Sequence, residues 1–407
     1  MSGLRLRVLA ATLLIVSLAA CGRLIPAATI PSTPLPTPLP PPVPVVTSAL
    51  MAGVAYGPAI SSLGLVSVDA SGALASFRES CPRLLTRTDS SGLTQGADWQ
   101  AACAAAPTWP VSDAPRFFEQ FFETAKVGDG NAFVTGYFEP DIAGVRVRQP
   151  GFDVPVYAVP PDLIRAKEGE APPAPSGQQP LGRYDAGGLF VPYFERGEIE
   201  DGALAGKGLE IAWAADPIEF FFLQIQGSGR LRAPDGSVMR IGYAGQNGRE
   251  YAGIGSLMRA RGLIGAGPGQ YPGSMQGLIQ YLRDFPVEGR ALMRENKSWI
   301  FFKELTGDGP LGALNVPVRA QSSVATDPRF VPLGAPVWLV LDRAEANGLW
   351  VAQDTGGAIK GANRFDSFWG AGDQARLIAG GMSGRGQALL FLPKGTLARL
   401  GSAAGAK

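Results

Sequence analysis

The sequence predicts a mainly β fold of the barrel type with few helices, and three observations carry that expectation. Glycine and proline number 54 and 35 among 407 residues, roughly a fifth of the chain where about 12% is usual. The apolar runs of the C-terminal half are short and divided by Gly- and Pro-bearing turns, as in a small closed sheet rather than an open parallel one. Helical periodicity is confined to a few segments, and no internal repeat is visible. Turns and short strands dominate.

The chain opens on an address. Arg5 and Arg7 precede an apolar stretch over residues 8–20 that is too short to span a bilayer. It ends Leu18-Ala19-Ala20-Cys21 and resembles the bacterial lipoprotein signal. That resemblance implies removal of residues 1–20 and lipidation of Cys21, with Gly22 in place of Asp implying the outer membrane. An ordinary secretory peptide with a chance cysteine is the plainer alternative. Residues 21–50 then read as anchor and linker. The half-proline stretch 31–46 predicts extended polyproline II, about 50 Å long at ~3.1 Å per residue. A motif for a proline-recognising partner is the other reading. Beyond Cys21 the sequence holds Cys81 and Cys103, which an oxidising compartment lets pair; two free buried thiols are the alternative.

Further along, Asp113, Ala114 and Pro115 predict a helix start, with Phe117, Phe118, Phe121 and Phe122 as a core stripe. Residues 132–138 read as a strand ending at Glu139-Pro140. From 141 to about 295 the pattern is β with turns. There 220–226 is expected as an apolar strand, 231–243 as a hairpin turning at Pro234-Asp235-Gly236, and 178–188 and 265–273 as loops. One helix follows Ser274, with Met275, Leu278, Ile279 and Leu282 on one face and Asp284 and Pro286 at its end. After Ser298 come expected strands at 299–302, 316–321, 336–341, 349–353 and 387–392.

Composition excludes whole classes of chemistry. With no histidine, no Ser-His-Asp triad, Cys-His pair or His-ligated zinc can form. Proton transfer near neutral pH falls to Asp, Glu, Lys, Tyr or Cys. Lys plus Arg is 36 against 35 acids, and residues 21–407 carry 34 against 35. Such balance leaves no electrostatic footprint for nucleic acid and no polybasic patch for anionic lipid.

Polar clusters remain. Residues 353–361 (Gln-Asp-Thr-Gly-Gly-Ala-Ile-Lys-Gly) and 364–370 (Arg-Phe-Asp-Ser-Phe-Trp-Gly) gather Asp354, Asp366, Lys360, glycines and three aromatics at a strand end. Glycoside chemistry needs such a set: a carboxylic acid to protonate the leaving oxygen and flat faces for sugar rings. Turn residues capping their own backbone are the plainer reading of Asp among glycines. A second cluster is Gln224-Ile225-Gln226-Gly227-Ser228-Gly229, in which Gln224 and Gln226 would project from one strand face toward sugar hydroxyls. Ser228 lacks both the G-x-S-x-G spacing and an activating histidine, so it is no nucleophile. The third, 242–251, holds Tyr243, Asn247 and Tyr251 and suits either a turn or a groove wall.

Taken together the motifs resemble the membrane-bound lytic murein transglycosylase A family over about residues 80–395. The matching stretches are 135–140 (Thr-Gly-Tyr-Phe-Glu-Pro), Trp213 with Asp216-Pro217 and 221–229, 242–251, 296–304, and 325–334 through 353–361 to Phe365-Asp366. The last part is similar to the three-aspartate domain, here Asp327, Asp354 and Asp366. One departure is Asn363-Arg364 before Phe365, where relatives carry a shorter, histidine-containing segment.

The resemblance implies a double-psi β-barrel interrupted by a second β-barrel-like domain. The barrel would take residues 51–140 and 296–400, the insert 141–295, with a glycan groove between them. It implies that Asp366 is the single acid/base and Asp354 its supporting carboxylate. Tyr137, Gln224, Gln226, Gly227, Ser228, Gly229, Tyr243, Asn247, Tyr251 and Lys360 would bind substrate. The implied reaction cleaves the β-1,4 bond between N-acetylmuramic acid and N-acetylglucosamine and leaves 1,6-anhydromuramic ends, with no metal or other cofactor. Implied partners are peptidoglycan glycan strands, the outer membrane through the lipid anchor on its periplasmic face, and cell-wall synthesis or division proteins. An inverting hydrolase using Asp354 as base, a non-catalytic peptidoglycan-binding lipoprotein and a tethered scaffold are the alternatives.

Overall fold

A computed structural model describes residues 46–174, 177–307 and 309–404. The signal segment, Cys21 and all but the last residue of the proline-rich stretch lie outside the described residues.

Six strands close into a ring. Around it run Ser383–Pro393, Pro336–Leu341, Gly348–Asp354, Ser323–Thr326, Arg364–Ala371 and Asn131–Glu139, the last pairing back onto Ser383–Pro393. Closure works because Ser383–Pro393 is long enough to pair twice. Ser383 to Gln387 lie against Asn131–Thr135, while Gly386 to Leu390 lie against Val337–Leu341. Two neighbouring pairs are parallel, Ser323–Thr326 with Gly348–Asp354 and Arg364–Ala371 with Asn131–Glu139. Val134, Val324, Leu339, Trp350, Phe365 and Leu390 fill the interior, and with its edges paired the barrel presents no free ladder. The strand expected at 336–341 is present with those bounds, and those at 132–138, 349–353 and 387–392 are present with wider ones.

A helical layer covers one flank. Ser67–Leu84, Gln100–Ala105 with the short helical turn Gly96–Trp99 before it, and Ala114–Phe121 pack Phe77, Trp99, Phe117 and Phe118 against Trp338, Leu349 and Phe391. Cys81 and Cys103 form a disulfide with Cα atoms 5.4 Å apart, joining the first two of these helices. The expected helix at 114 is present, although Phe122 already belongs to the next strand. Ser67–Leu84 shows little periodicity in sequence because its buried face uses small residues, among them Ala70, Ala73, Ser76 and Ser80.

A second sheet orders Ile300–Glu304, Val238–Gln246, Ser228–Arg232, Asp141–Val145, Glu210–Ala214 and Val154–Tyr157. The hairpin at Pro234-Asp235-Gly236 is present, closed by Gly236 N–H donating to Ala233 O. Ile300–Glu304 pairs with Val238–Gln246, so the returning segment joins the second sheet before the barrel resumes, later than the expected residue 296.

Four local expectations are corrected. Residues 220–226 form no strand but lie in the helix Pro217–Gln226. Asp216 caps it, accepting from Ile218 and Glu219 N–H, Pro217 takes the first turn, and Gly227 at φ 80° ends it. Its apolar residues point into two separate cores, Phe220 and Leu223 into one and Phe221 and Phe222 into the other. A helix buried on both sides has no polar stripe and so loses its periodic signature.

The expected loop 178–188 contains the strand Leu181–Tyr184, flanked by Ile164–Arg165 and Phe190–Pro192, and 265–273 carries the two-residue pairing of Ile264–Gly265 with Tyr271–Pro272. Residues 316–321 form no strand. Left-handed backbone at Asn315 (φ 57°) and Gln321 (φ 55°) interrupts extension, and the barrel strand begins at Ser323. The fold is mainly β, with its helices packed on the outside of the two sheets. Eleven α-helices occur among the described residues, including Pro286–Glu295 directly after Met275–Asp284.

Candidate active site

Asp366 owes its position to register. On Arg364–Ala371 it lies opposite Ala325 of one neighbouring strand and Thr135 of the other. Asp354, the last residue of Gly348–Asp354, is also registered to Ala325. The two aspartates therefore stand two strand spacings apart, about 9.5 Å of backbone. Both line a cleft of about 770 Å³.

Their surroundings differ. Asp366 Oδ1 accepts from Thr135 Oγ1 at 2.5 Å, and Arg364 Nη2 donates to that same hydroxyl at 2.9 Å. Burial pushes the Asp366 carboxyl up to about 6, against the pull of Thr135 and Arg364 and with a smaller push from Asp354. Asp354 is held on both oxygens. Oδ1 accepts the Ala313 and Thr355 N–H groups, each at 2.9 Å, and Oδ2 accepts Tyr137 Oη at 3.1 Å. Burial raises its pKa while these three donors oppose the rise. Tyr137, stacked on Phe368 at 4.9 Å, is pushed well above the usual tyrosine range by burial and by both carboxylates. Asp366 can thus hold a proton near neutrality, while Asp354, also raised by burial, has both oxygens engaged by hydrogen-bond donors.

The opposite wall comes from the second sheet and its helices. Tyr243, Lys303, Ser228, and Gln224, Gln226 and Gly227 at the end of Pro217–Gln226 all face the cleft. Tyr251 and Lys360 line it too, and burial raises the Tyr251 pKa, with Asp366 adding to the rise. Gln224 and Gln226 do not share a strand face, because the helix turns them apart. Gln224 accepts from Arg196 Nη1 at 2.6 Å, and Gln226 Oε1 accepts Phe138 N–H at 3.0 Å, tying the helix to the barrel.

Two expected substrate residues lie elsewhere. Asn247 is fully buried, donating to Phe194 O and Lys297 O and accepting Trp299 N–H; it braces a loop. Gly229 is a packing glycine, since a Cβ there would sit 2.4 Å from Leu223 Cδ1. Asp327, the third aspartate, is buried under Arg329 and the Gly361 N–H and serves the loop instead of the cleft.

Sequence reasoning missed Thr135, Arg364 and Arg196. Thr135 stood inside a recognised motif but carried no charge to single it out. Arg196, 2% exposed, gives its donors to Gln224, Asn296 O and Ser298 O from a stretch with no distinctive pattern.

Comparison with known proteins agrees with this architecture. Residues 133–303 match the MltA specific insert domain and residues 322–392 match the 3D domain. The membrane-bound lytic murein transglycosylase A of Vibrio cholerae is 30% identical over 285 residues, which is 66% of this chain and 69% of that protein. The crystal structure of MltA from Neisseria gonorrhoeae superposes with a TM-score of 0.68 at 35% identity, covering 84% of this chain and 93% of the other. Escherichia coli MltA with bound chitohexaose gives 0.57 at 26% identity, over 80% and 90% of the two chains. By these matches the fold is that of a double-psi barrel with an inserted β domain, and the chain belongs to the membrane-bound lytic murein transglycosylase A family.

Proposed function

We propose that Asp366 carries both proton transfers of the lytic transglycosylase reaction in this chain. The chain is a peptidoglycan lytic transglycosylase, and its substrate bond is the β-1,4 link from N-acetylmuramic acid to N-acetylglucosamine. The protonated Asp366 carboxyl gives its proton to the glycosidic oxygen as the C1–O bond breaks. The carboxylate so formed then takes the proton of the muramic C6 hydroxyl while that oxygen closes onto C1. One proton is returned, no water is consumed, and the product ends in a 1,6-anhydro ring. Asp354 faces the developing positive charge as a fixed anion.

The observation that carries this assignment is the cleft carboxyl of Asp366, whose pKa burial has brought to about 6, within the range a general acid needs. A cleft wide enough for a glycan supports it, and so does the chitohexaose held by the E. coli relative. The barrel, with residues 51–140 and those after 304, forms one wall and the inserted sheet the other. Cys21 anchors the chain by lipid to the periplasmic face of the outer membrane.

One observation favours a second reading. Two aspartates line one cleft, as in the carboxyl pair that inverting hydrolases use, which would make Asp354 a water-activating base. Its engagement by Ala313, Thr355 and Tyr137 favours the first. Mass spectrometry of digested peptidoglycan separates them. Anhydro ends that vanish in Asp366→Asn support the proposal, and reducing ends overturn it.

A further inference from the structure

The described residues lining the cleft include four cations and two carboxyls: Arg196, Arg249, Lys303 and Lys360 against Asp354 and Asp366. Four against two leaves the cleft net positive, although the chain as a whole is balanced, with 36 basic residues against 35 acidic.

Three of the four cations make no ion pair among the described residues. Arg196, the fourth, is buried: its three hydrogen-bonded acceptors are neutral oxygens, its guanidinium lies over the Phe221 and Trp299 rings, and it reaches Glu200 only at 4.0 Å. Arg249 uses Nε on Tyr193 O at 2.7 Å. Among the described residues, neither Arg249, Lys303 nor Lys360 makes an ion pair, although most other arginines of the inserted sheet are paired on its outer surface, Arg146 with Glu304 and Arg232 with Asp141 among them. Lys303 rises from Ile300–Glu304 on one wall and Lys360 from the barrel loop on the other. A neutral sugar polymer calls for hydrogen-bonding groups and flat faces, which Tyr243, Tyr251 and Gln226 already provide. Cations left unpaired at a glycan cleft call for an anion.

We propose that the cleft recognises the carboxylates borne by its glycan, with Lys303 and Lys360 as direct contacts and Arg196 as a buried source of positive potential. This rests on the glycan reading of the cleft given above. The carboxylate has two sources, the lactyl group of each muramic residue or the stem peptide attached to it, and both chemistries are equivalent to a lysine.

The experiment uses the full-length chain carrying Asp366→Asn, so that glycan is not consumed, and titrates three probes of matched length. These are a neutral N-acetylglucosamine oligomer, peptide-free murein strands and peptide-bearing murein strands. Charged strands should bind at least about fivefold more tightly than the neutral oligomer at 0.05 M salt, the scale of one or two partly exposed ion contacts. That ratio should fall toward one at about 1 M salt, where screening reaches ~3 Å, and in the exposed-residue variants Lys303→Gln and Lys360→Gln combined. A margin already present with peptide-free strands assigns the lactyl carboxylate; one confined to peptide-bearing strands assigns the stem. Equal binding of all three overturns the inference while leaving the glycan cleft standing. Failure of every glycan to bind overturns both.

Discussion

The Thr135 hydroxyl donates to Asp366 Oδ1 at 2.5 Å while accepting from Arg364 Nη2 at 2.9 Å. Arg364 therefore acts on the acid through a hydroxyl instead of pairing with it directly. A direct ion pair would drive an aspartate far below neutrality; the intervening hydroxyl leaves burial in control. Thr135→Val keeps the shape and removes the donor. Its loss favours the protonated acid, so the alkaline limb of the pH–rate profile should move to higher pH, with kcat lowered about tenfold where the carboxylate must act as base. A limb that stays in place would show that Thr135 does not tune Asp366.

The wild-type limb itself follows from the sign of the Asp366 shift. The acid step needs the proton, which is held below about pH 6 and lost above it. Activity should fall about tenfold per pH unit well above that value. Rates on insoluble peptidoglycan measured from pH 4 to 9 check it, and a profile flat to pH 8 would remove Asp366 as the acid.

Stability should move the opposite way from activity when the charge is removed. A folded pKa raised from 3.8 to about 6 means that folding binds a proton between those values, so stability falls as pH rises through that window and stays low above it. Asp366→Asn escapes this loss. Its gain should approach at most about 3 kcal/mol at pH 8, less where cleft water screens the charge, and vanish below pH 3.5. Denaturant melts of the inactive variant and the wild type at both pH values decide the matter.

How much of this was legible depended on whether the signal was local. Asp354 and Asp366 could be singled out because they lie in one short Gly-rich stretch of a chain without histidine. Thr135 could not, since its partner is 231 residues away and only barrel closure brings the two strands into register. Pro217–Gln226 misread as a strand because cores on both sides erase the amphipathic period, and the Asp216-Pro217 start was the local cue that outranked it. Asn247 looked like a groove residue beside two tyrosines, yet an asparagine offers donors and an acceptor to any loop that needs them, and here the loop takes them all.

Tyr137→Phe separates the two duties of that ring. The stacking on Phe368 at 4.9 Å survives, whereas the hydrogen bond to Asp354 Oδ2 is lost. Stability should drop by about 0.5–1.5 kcal/mol, and Asp354, with one donor fewer, should ionise at higher pH. If Asp354 serves as a fixed anion, kcat should fall several-fold with KM nearly unchanged, because the charge matters only when the sugar carbon turns positive. A change confined to KM would make the hydroxyl a glycan contact.

The Cys81–Cys103 bond closes a loop with a sequence separation of 22, and the chain-entropy estimate for a loop of that size is about 3 kcal/mol. It fastens the flank helices, which pack on the outside of the barrel through Phe77 and Trp99; the cleft lies elsewhere. Cys81→Ser with Cys103→Ser should therefore lower thermal stability while leaving the product spectrum and the pH limb of the folded enzyme intact. Loss of activity in protein that still melts cooperatively would instead link the flank to Asp366. The route available is Gln353, which donates to Ser76 O and Ser80 Oγ of Ser67–Leu84 one residue before Asp354. Gln353→Leu in the disulfide-intact chain then serves as the second arm: it should reproduce the activity loss if that route carries the coupling, and only destabilise if it does not.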